Sequence, residues 1–226
     1  MFDGSILTQY PYAAATVILL IAAGLLLVSF FAAGRTLRRK RIKRFAAVNG
    51  LALTQYDAEL EKALADKPLV KNCAKHRVRN IIKGGPLGNA CYFDVSCRIH
   101  DHHDRVSQSV VKFNTDGRLP VFFLFPKGVE THLPVSAGKV ELGDKFSAGY
   151  NLFSENTILL REIFKAGAED FFSHESGWTI EYSKHTALIY RSGNLYSSFE
   201  LQDFINKSVE VYQTVFAVPP APPASA

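Results

Sequence analysis

The sequence predicts an α+β protein: an N-terminal transmembrane helix followed by one cytosolic domain, a mainly antiparallel sheet packed by helices that include a C-terminal amphipathic helix. Three observations carry this. An uncharged apolar run, Ala13 to Ala33, is followed at once by a cluster of cations. Segments of strand periodicity separated by Gly, Asn and Asp turns occupy much of 80–153 and 178–191. Helical stripes at 156–173 and 197–216 fall between and after those strands, an order that favours antiparallel α+β over alternating βαβ units.

The apolar run is long enough, at about 1.5 Å per helical residue, to cross a hydrocarbon core of roughly 30 Å, and a helix satisfies its own backbone groups in lipid. No Lys or Arg precedes it, whereas Arg35, Arg38, Arg39, Lys40, Arg41, Lys43 and Arg44 follow it. The positive-inside bias then sends the short N-terminus, 1–12, outward and keeps the C-terminal side in the cytoplasm of a bacterial inner membrane. Tyr10 and Tyr12 fall at the interface and Pro11 at the helix entry. A cleaved signal peptide ending at Ala32-Ala33-Gly34 is the rival reading; signal peptides carry their charge before a shorter apolar core. The expected divisions are a span at 13–34, a basic juxtamembrane helix at 35–50, a domain at 51–217 and a disordered Pro/Ala tail at 218–226.

The net charge of +5 belongs to this collar. Seven of the 26 Lys plus Arg lie in 35–44 and one of the 21 acidic residues precedes the run, which leaves the chain after Arg44 at formal charge −1. A nucleic-acid partner is therefore not expected. The bilayer is the expected partner, through the seven collar cations as lipid-surface candidates, together with an unknown protein.

Within the domain, Asn49-Gly50 is a helix stop, Leu51-Ala52-Leu53 a first short strand, and Asp57 to Ala65 a helix ended by Pro68. The stretch 67–83, with Lys67, Lys71, Lys75, Arg77, Arg79 and Lys83, reads as a solvated, mobile connection. Residues 91–99 alternate, with Cys91, Phe93, Val95, Cys97 and Ile99 on an apolar face and Tyr92, Asp94, Ser96 and Arg98 on a polar one. Val106 to Phe113 is a strand, Asn114-Thr115-Asp116-Gly117 a hairpin turn, Val121 to Phe125 a strand buried on both faces, and Phe146 to Phe153 a further strand. Asn156 to Ser173 is a helix with a stripe at Leu160, Ile163, Phe164, Gly167 and Phe171. Trp178–Tyr182 and Ala187–Arg191 form a hairpin. Ser197-x-x-Glu200 is a capping box opening the last helix, whose stripe is Leu201, Phe204, Ile205, Ser208, Tyr212, Val215 and Phe216.

No motif specifies chemistry, and no cofactor is expected. Cys73, His76, His100 and His102 are the candidate metal ligands, but only Cys73-x-x-His76 has half of a zinc spacing, so no metal site is expected. A cytosolic location argues against disulfides, and free cysteines are small buried hydrophobes. His174-Glu175 lacks the second histidine of a zincin, the glycines at 84, 85 and 88 match no phosphate-binding loop, and the adjacent Glu169 and Asp170 point apart on a helix. No catalytic residue is assigned.

Phe45-Ala46-Ala47-Val48-Asn49-Gly50-Leu51, Trp178-Thr179-Ile180-Glu181-Tyr182 and Leu188-Ile189-Tyr190-Arg191 carry a resemblance. With them the chain resembles a loose group of uncharacterised bacterial single-span membrane-anchored proteins with a cytosolic α+β domain of unknown function. The resemblance implies the architecture and supplies no catalytic residues. The expected function is a membrane-tethered, non-enzymatic interaction or sensory module. An anionic-lipid or small-ligand binder using the basic collar and the 67–83 stretch is the first alternative, and a metal-dependent enzyme using the Cys/His residues the second.

Overall fold

The computed structural model describes residues 11–84, 88, 90–99, 105–129, 133 and 136–217, and within the first helix the side chains of 16, 17, 19–24 and 36–48. The chain divides into two compact units, 1–44 and 45–226. Helix α1, Pro11–Val48, runs without interruption for 38 residues. It ends where the sequence places the stop: Asn49 N–H donates to the Phe45 carbonyl (3.1 Å), Leu51 N–H to the Ala46 carbonyl (2.8 Å), and Gly50 takes the left-handed conformation, φ +64°. Among the described residues no helix is long and apolar enough to cross a membrane.

The second unit is one antiparallel sheet of nine described strands in the order β1-β2-β3-β4-β9-β8-β5-β7-β6. In chain order they are β1 Ala52–Thr54, β2 Cys73–Lys83, β3 Ala90–Ile99, β4 Arg105–Asn114, β5 Phe122–Pro126, β6 Gly138–Lys139, β7 Tyr150–Ser154, β8 Trp178–Ser183 and β9 Thr186–Arg191. Helices α2 (Ala58–Leu64) and α3 (Pro68–Lys71) follow β1, α4 (Asp144–Gly149) precedes β7, α5 (Thr157–Ile163) and α6 (Glu169–His174) follow it, and α7 (Leu201–Phe216) closes the chain. One sheet face buries Val78, Ile81, Phe93, Val95, Val110, Leu188 and Tyr190 with Leu60 and Leu64 of α2 and Val70 of α3. The other face is aromatic. Phe113 stacks on Tyr212 at 4.3 Å, Trp178 on Phe204 at 6.0 Å, and Phe122 meets Phe164 edge-on at 5.9 Å.

Several expectations are corrected. The stretch 67–83 is largely strand β2: Lys75, Arg77 and Arg79 are exposed while Val78 is buried, so alternating charge concealed a period-2 pattern. Pro68 does not merely end a helix but opens α3 at its first turn, where its missing N–H costs nothing. In β3 the first half of the supposedly polar face is buried, because Tyr92 and Asp94 lie on the aromatic side of a strand paired on both edges, whereas Ser96 is half-buried and Arg98 exposed as expected. The turn at 114–117 is not a hairpin; β4 pairs with β9, and β5 with β7 and β8. The strand expected at 146–153 is α4 followed by β7, with Phe146 buried from the helix.

The helix at 156–173 is two helices, α5 and α6, joined across a kink within Phe164–Ala168, where Gly167 leaves helical backbone (φ 167°, ψ −33°). The kink moves the apolar stripe on by one residue, so Phe172 (2% exposed) is buried where the 3.6 period names Phe171. The capping box is half realised, in that the Glu200 carboxylate accepts from Ser197 N–H at 3.0 Å and α7 begins one residue later. The α7 stripe is buried at Leu201, Phe204, Ile205, Ser208 and Val215, joined by Val211. Of the expected N-terminal segment 1–12, Pro11 and Tyr12 already belong to α1, while residues 1–10, residues 100–104 and the tail at 218–226 lie outside the described residues.

Candidate functional site

Three assemblies concentrate polar chemistry in the sheet unit. The first is an open cleft of about 550 Å³ between the start of α2 and the β2–β3–β4 ladder, lined by Asp57, Leu60, Lys83, Cys91, Lys112 and Asn114 among others. Asp57 caps α2 by accepting the Leu60 N–H at 3.0 Å and pairs with Lys83 at 3.0 Å. Those two contacts hold its carboxyl below the usual range, the Leu60 amide contributing most, while Asp57 in turn raises Lys83. Burial pushes the Cys91 thiol up to about 11, so it is protonated at neutral pH and is no nucleophile. The cleft can hold a small polar or anionic molecule; it does not contain an activated nucleophile and base.

The second assembly surrounds Asp94. Tyr92 Oη donates to Asp94 Oδ1 at 2.5 Å, Ser109 Oγ to the same oxygen at 3.0 Å, and Asn80 Nδ2 to Oδ2 at 2.8 Å. Asn80 reaches this position from a β-bulge, with φ +52°. Tyr196 N–H also donates to Ser109 Oγ at 3.2 Å, and this ties the segment before α7 to the sheet. With its carboxylate oxygens satisfied, Asp94 is a structural hub.

The third is Glu181, 3% exposed in the middle of β8. Tyr190 Oη donates to Oε1 at 2.6 Å, and Oε2 has no hydrogen-bond partner. Burial lifts the carboxyl to about 7, against smaller opposing effects of the Tyr190 hydroxyl, Lys67 and the Leu69 amide. Lys67, one residue before α3, donates its ammonium to Ser183 Oγ on the same strand. Glu181 and its orphaned oxygen carried no signal in the sequence, because the alternation of β8 is hidden by its complete burial.

The expected site residues are dispersed. Arg38, Arg39, Lys40, Arg41, Lys43 and Arg44 lie along α1 and all but the half-buried Arg38 are exposed; the side chain of Arg35 is outside the described residues. Of the four metal candidates, Cys73 and His76 are described, and each is engaged elsewhere. His76 Nε2 lies 2.9 Å from the Glu61 carbonyl, His100 and His102 are outside the described residues, and Cys73 is joined to Cys97 in a disulfide. That bridge corrects the expectation of free cysteines. β2 and β3 are antiparallel neighbours, and the irregular register after Cys73 brings the two Cα atoms to 5.3 Å, within bridging range. A bridge closing a loop of this length stabilises by up to about 3.5 kcal/mol. Among the described residues no group of three His, Cys, Asp or Glu is placed to hold a metal.

No family model and no curated protein matches the chain. Among solved structures, the crystal structure of the mycobacterial trehalose monomycolate transport factor A, TtfA, is similar, with a TM-score of 0.60 and 14% identity over 81% of this chain and 97% of that one. Likeness at this identity shows a shared fold.

Proposed function

We propose that the protein is a membrane-tethered, non-enzymatic interaction or sensory module, anchored through α1 with its domain in the cytoplasm. One observation carries the reading. The apolar half of α1 leaves large side chains uncovered by protein, Val17, Leu19, Leu20 and Ile21 being 54–70% exposed, and the uncharged sequence run continues to Ala33 before the basic collar. Lipid is the solvent in which such a helix is stable. TtfA is a transport factor, and a role in transport falls within this class of module.

Charge and cysteine pairing bear oppositely on the side occupied. The collar favours the cytoplasm, and the Cys73–Cys97 bridge an oxidising compartment. Topology is fixed as the chain inserts, before β2 and β3 can pair, so charge decides; Cys73 and Cys97 are then a reducible pair. A reporter active only in the cytoplasm, fused after Ala226, is expected to work, with both cysteines recovered as thiols from acid-quenched cells. Activity only of a periplasmic reporter, with the bridge intact, would reverse the orientation. Small-ligand binding is the second reading, favoured by the cleft beside Lys83 and Lys112.

A further inference from the structure

One face of the sheet carries five exposed cations on three adjacent strands. Lys75 stands opposite Arg98, Arg77 opposite Ser96 and Arg79 opposite Asp94, while Arg98 stands opposite Arg105. Paired residues share a face, so Lys75, Arg77, Arg79, Arg98 and Arg105 project to the side that buries Tyr92 and Ser109 further along the strands. All five are exposed. Strand spacings give a patch of about 13 by 10 Å. Among the described residues no salt bridge engages any of them, and the nearest carboxylate in the ladder, Asp94, is buried and bonded to Tyr92, Ser109 and Asn80.

This arrangement is unfavourable for folding alone. Like charges directly opposite in a ladder destabilise it, and Lys75, Arg98 and Arg105 form a continuous row of three. Protection of an exposed edge accounts for Lys75, Arg77 and Arg79, since β1 covers only the Ile81–Lys83 end of β2. It does not account for Arg98, which is paired on both sides. When closed, the Cys73–Cys97 bridge on the opposite face ties together the two strands that bear Lys75 and Arg98.

We infer that this face binds the anionic headgroups of the bilayer that anchors the chain. The inference rests on the tether reading and adds to it the surface that touches lipid. The charge is complementary, and a tether keeps headgroups at a local concentration that no soluble acidic partner matches. Each cation near an anionic surface strengthens docking by about five-fold.

The test uses the full chain in nanodiscs of phosphatidylcholine, with or without phosphatidylglycerol, a fluorophore on Ser107→Cys and a quencher on the lipid headgroups. Cys91 is replaced by alanine, and the Cys73–Cys97 bridge is closed by oxidation before labelling, so that position 107 carries the one thiol. Quenching is expected only with phosphatidylglycerol. It should fall with added salt, and the docking equilibrium should weaken by about a hundred-fold in Lys75→Gln/Arg98→Gln/Arg105→Gln. That variant should melt no lower than the parent, because it relieves the like-charge row. Equal quenching in both lipids, or no change in the triple variant, would overturn the inference. Displacement from the lipid by soluble polyglutamate would overturn it too, and assign the face to an acidic protein. A chain that fails to enter the discs defeats the tether reading instead; the face is then read by co-flotation with vesicles of the same two compositions, with the same dependence expected.

Discussion

Ending the chain after Ser192 is expected to give an insoluble product without a cooperative melting transition. The deletion removes α7 and with it the cover of the aromatic sheet face. Trp178 and Tyr92 lose Phe204, Phe113 loses Tyr212, and Phe122 and Tyr182 lose Phe216. It also removes the Asn194 carbonyl that accepts from Ser109 N–H at 2.8 Å, leaving a buried donor unpaired beside Asp94. Each large apolar side chain returned to water costs about 1.5–3 kcal/mol, and a few of these reach the 5–15 kcal/mol or so of a typical domain's net stability. The milder change Phe204→Ala should cost about 3–5 kcal/mol, since the ring is 3% exposed and packs against Tyr92, Trp178 and Tyr196. Chemical denaturation measures it. A truncated chain that melts cooperatively at the parent temperature would show that α7 is an appendage.

Glu181→Gln is expected to abolish a pH dependence of stability. The Glu181 carboxyl titrates near 7 in the folded protein and near 4.5 when exposed. Between those values the folded state holds a proton that the unfolded state has released. Stability conferred by the protonated group is therefore complete below about pH 4.5 and falls as pH rises to about 7, by about 3 kcal/mol in all. Glutamine keeps the acceptor for Tyr190 and cannot ionise. Its own amide N–H group, placed where Oε2 now lacks a partner, sets a constant offset, so the informative quantity is the slope. Unfolding free energies at pH 5 and 8 should differ by about 2.5 kcal/mol less in the variant than in the parent, because part of the effect is already lost below pH 5. An unchanged difference would mean that Glu181 is ionised in the folded state throughout this range.

The elements legible in the sequence are those whose pattern is local. The stop at Asn49-Gly50, the β8–β9 hairpin and the α7 stripe each follow from a few neighbouring residues, and the structure has them within a residue or two. Burial on both faces defeats the period-2 reading: Tyr92 looks solvated until Phe204 of α7, distant in sequence, packs on it, and Asp94 until Tyr92, Ser109 and Asn80 enclose it. Strand β2 was hidden for the opposite reason. Lys75, Arg77 and Arg79 look like loop charges, yet their spacing of two is the strand signal, and it marks the face that Arg98 and Arg105 complete across the ladder. The kink at Gly167 displaces the buried position from Phe171 to Phe172, and that glycine inside a helical pattern is its one local sign. The Cys73–Cys97 pair depends on a bulge and on strand register, both set by tertiary pairing. Glu181 is the clearest case: its chemistry comes wholly from what surrounds it.

Alkaline carbonate extraction of membranes from cells making the full chain tests most directly whether α1 is an anchor. The protein should remain in the membrane pellet at high pH and be released only by detergent, because Ala13 to Ala33 would lie in hydrocarbon. Release into the carbonate supernatant would contradict the anchor and leave only the charged collar and the basic sheet face to hold the chain at a membrane.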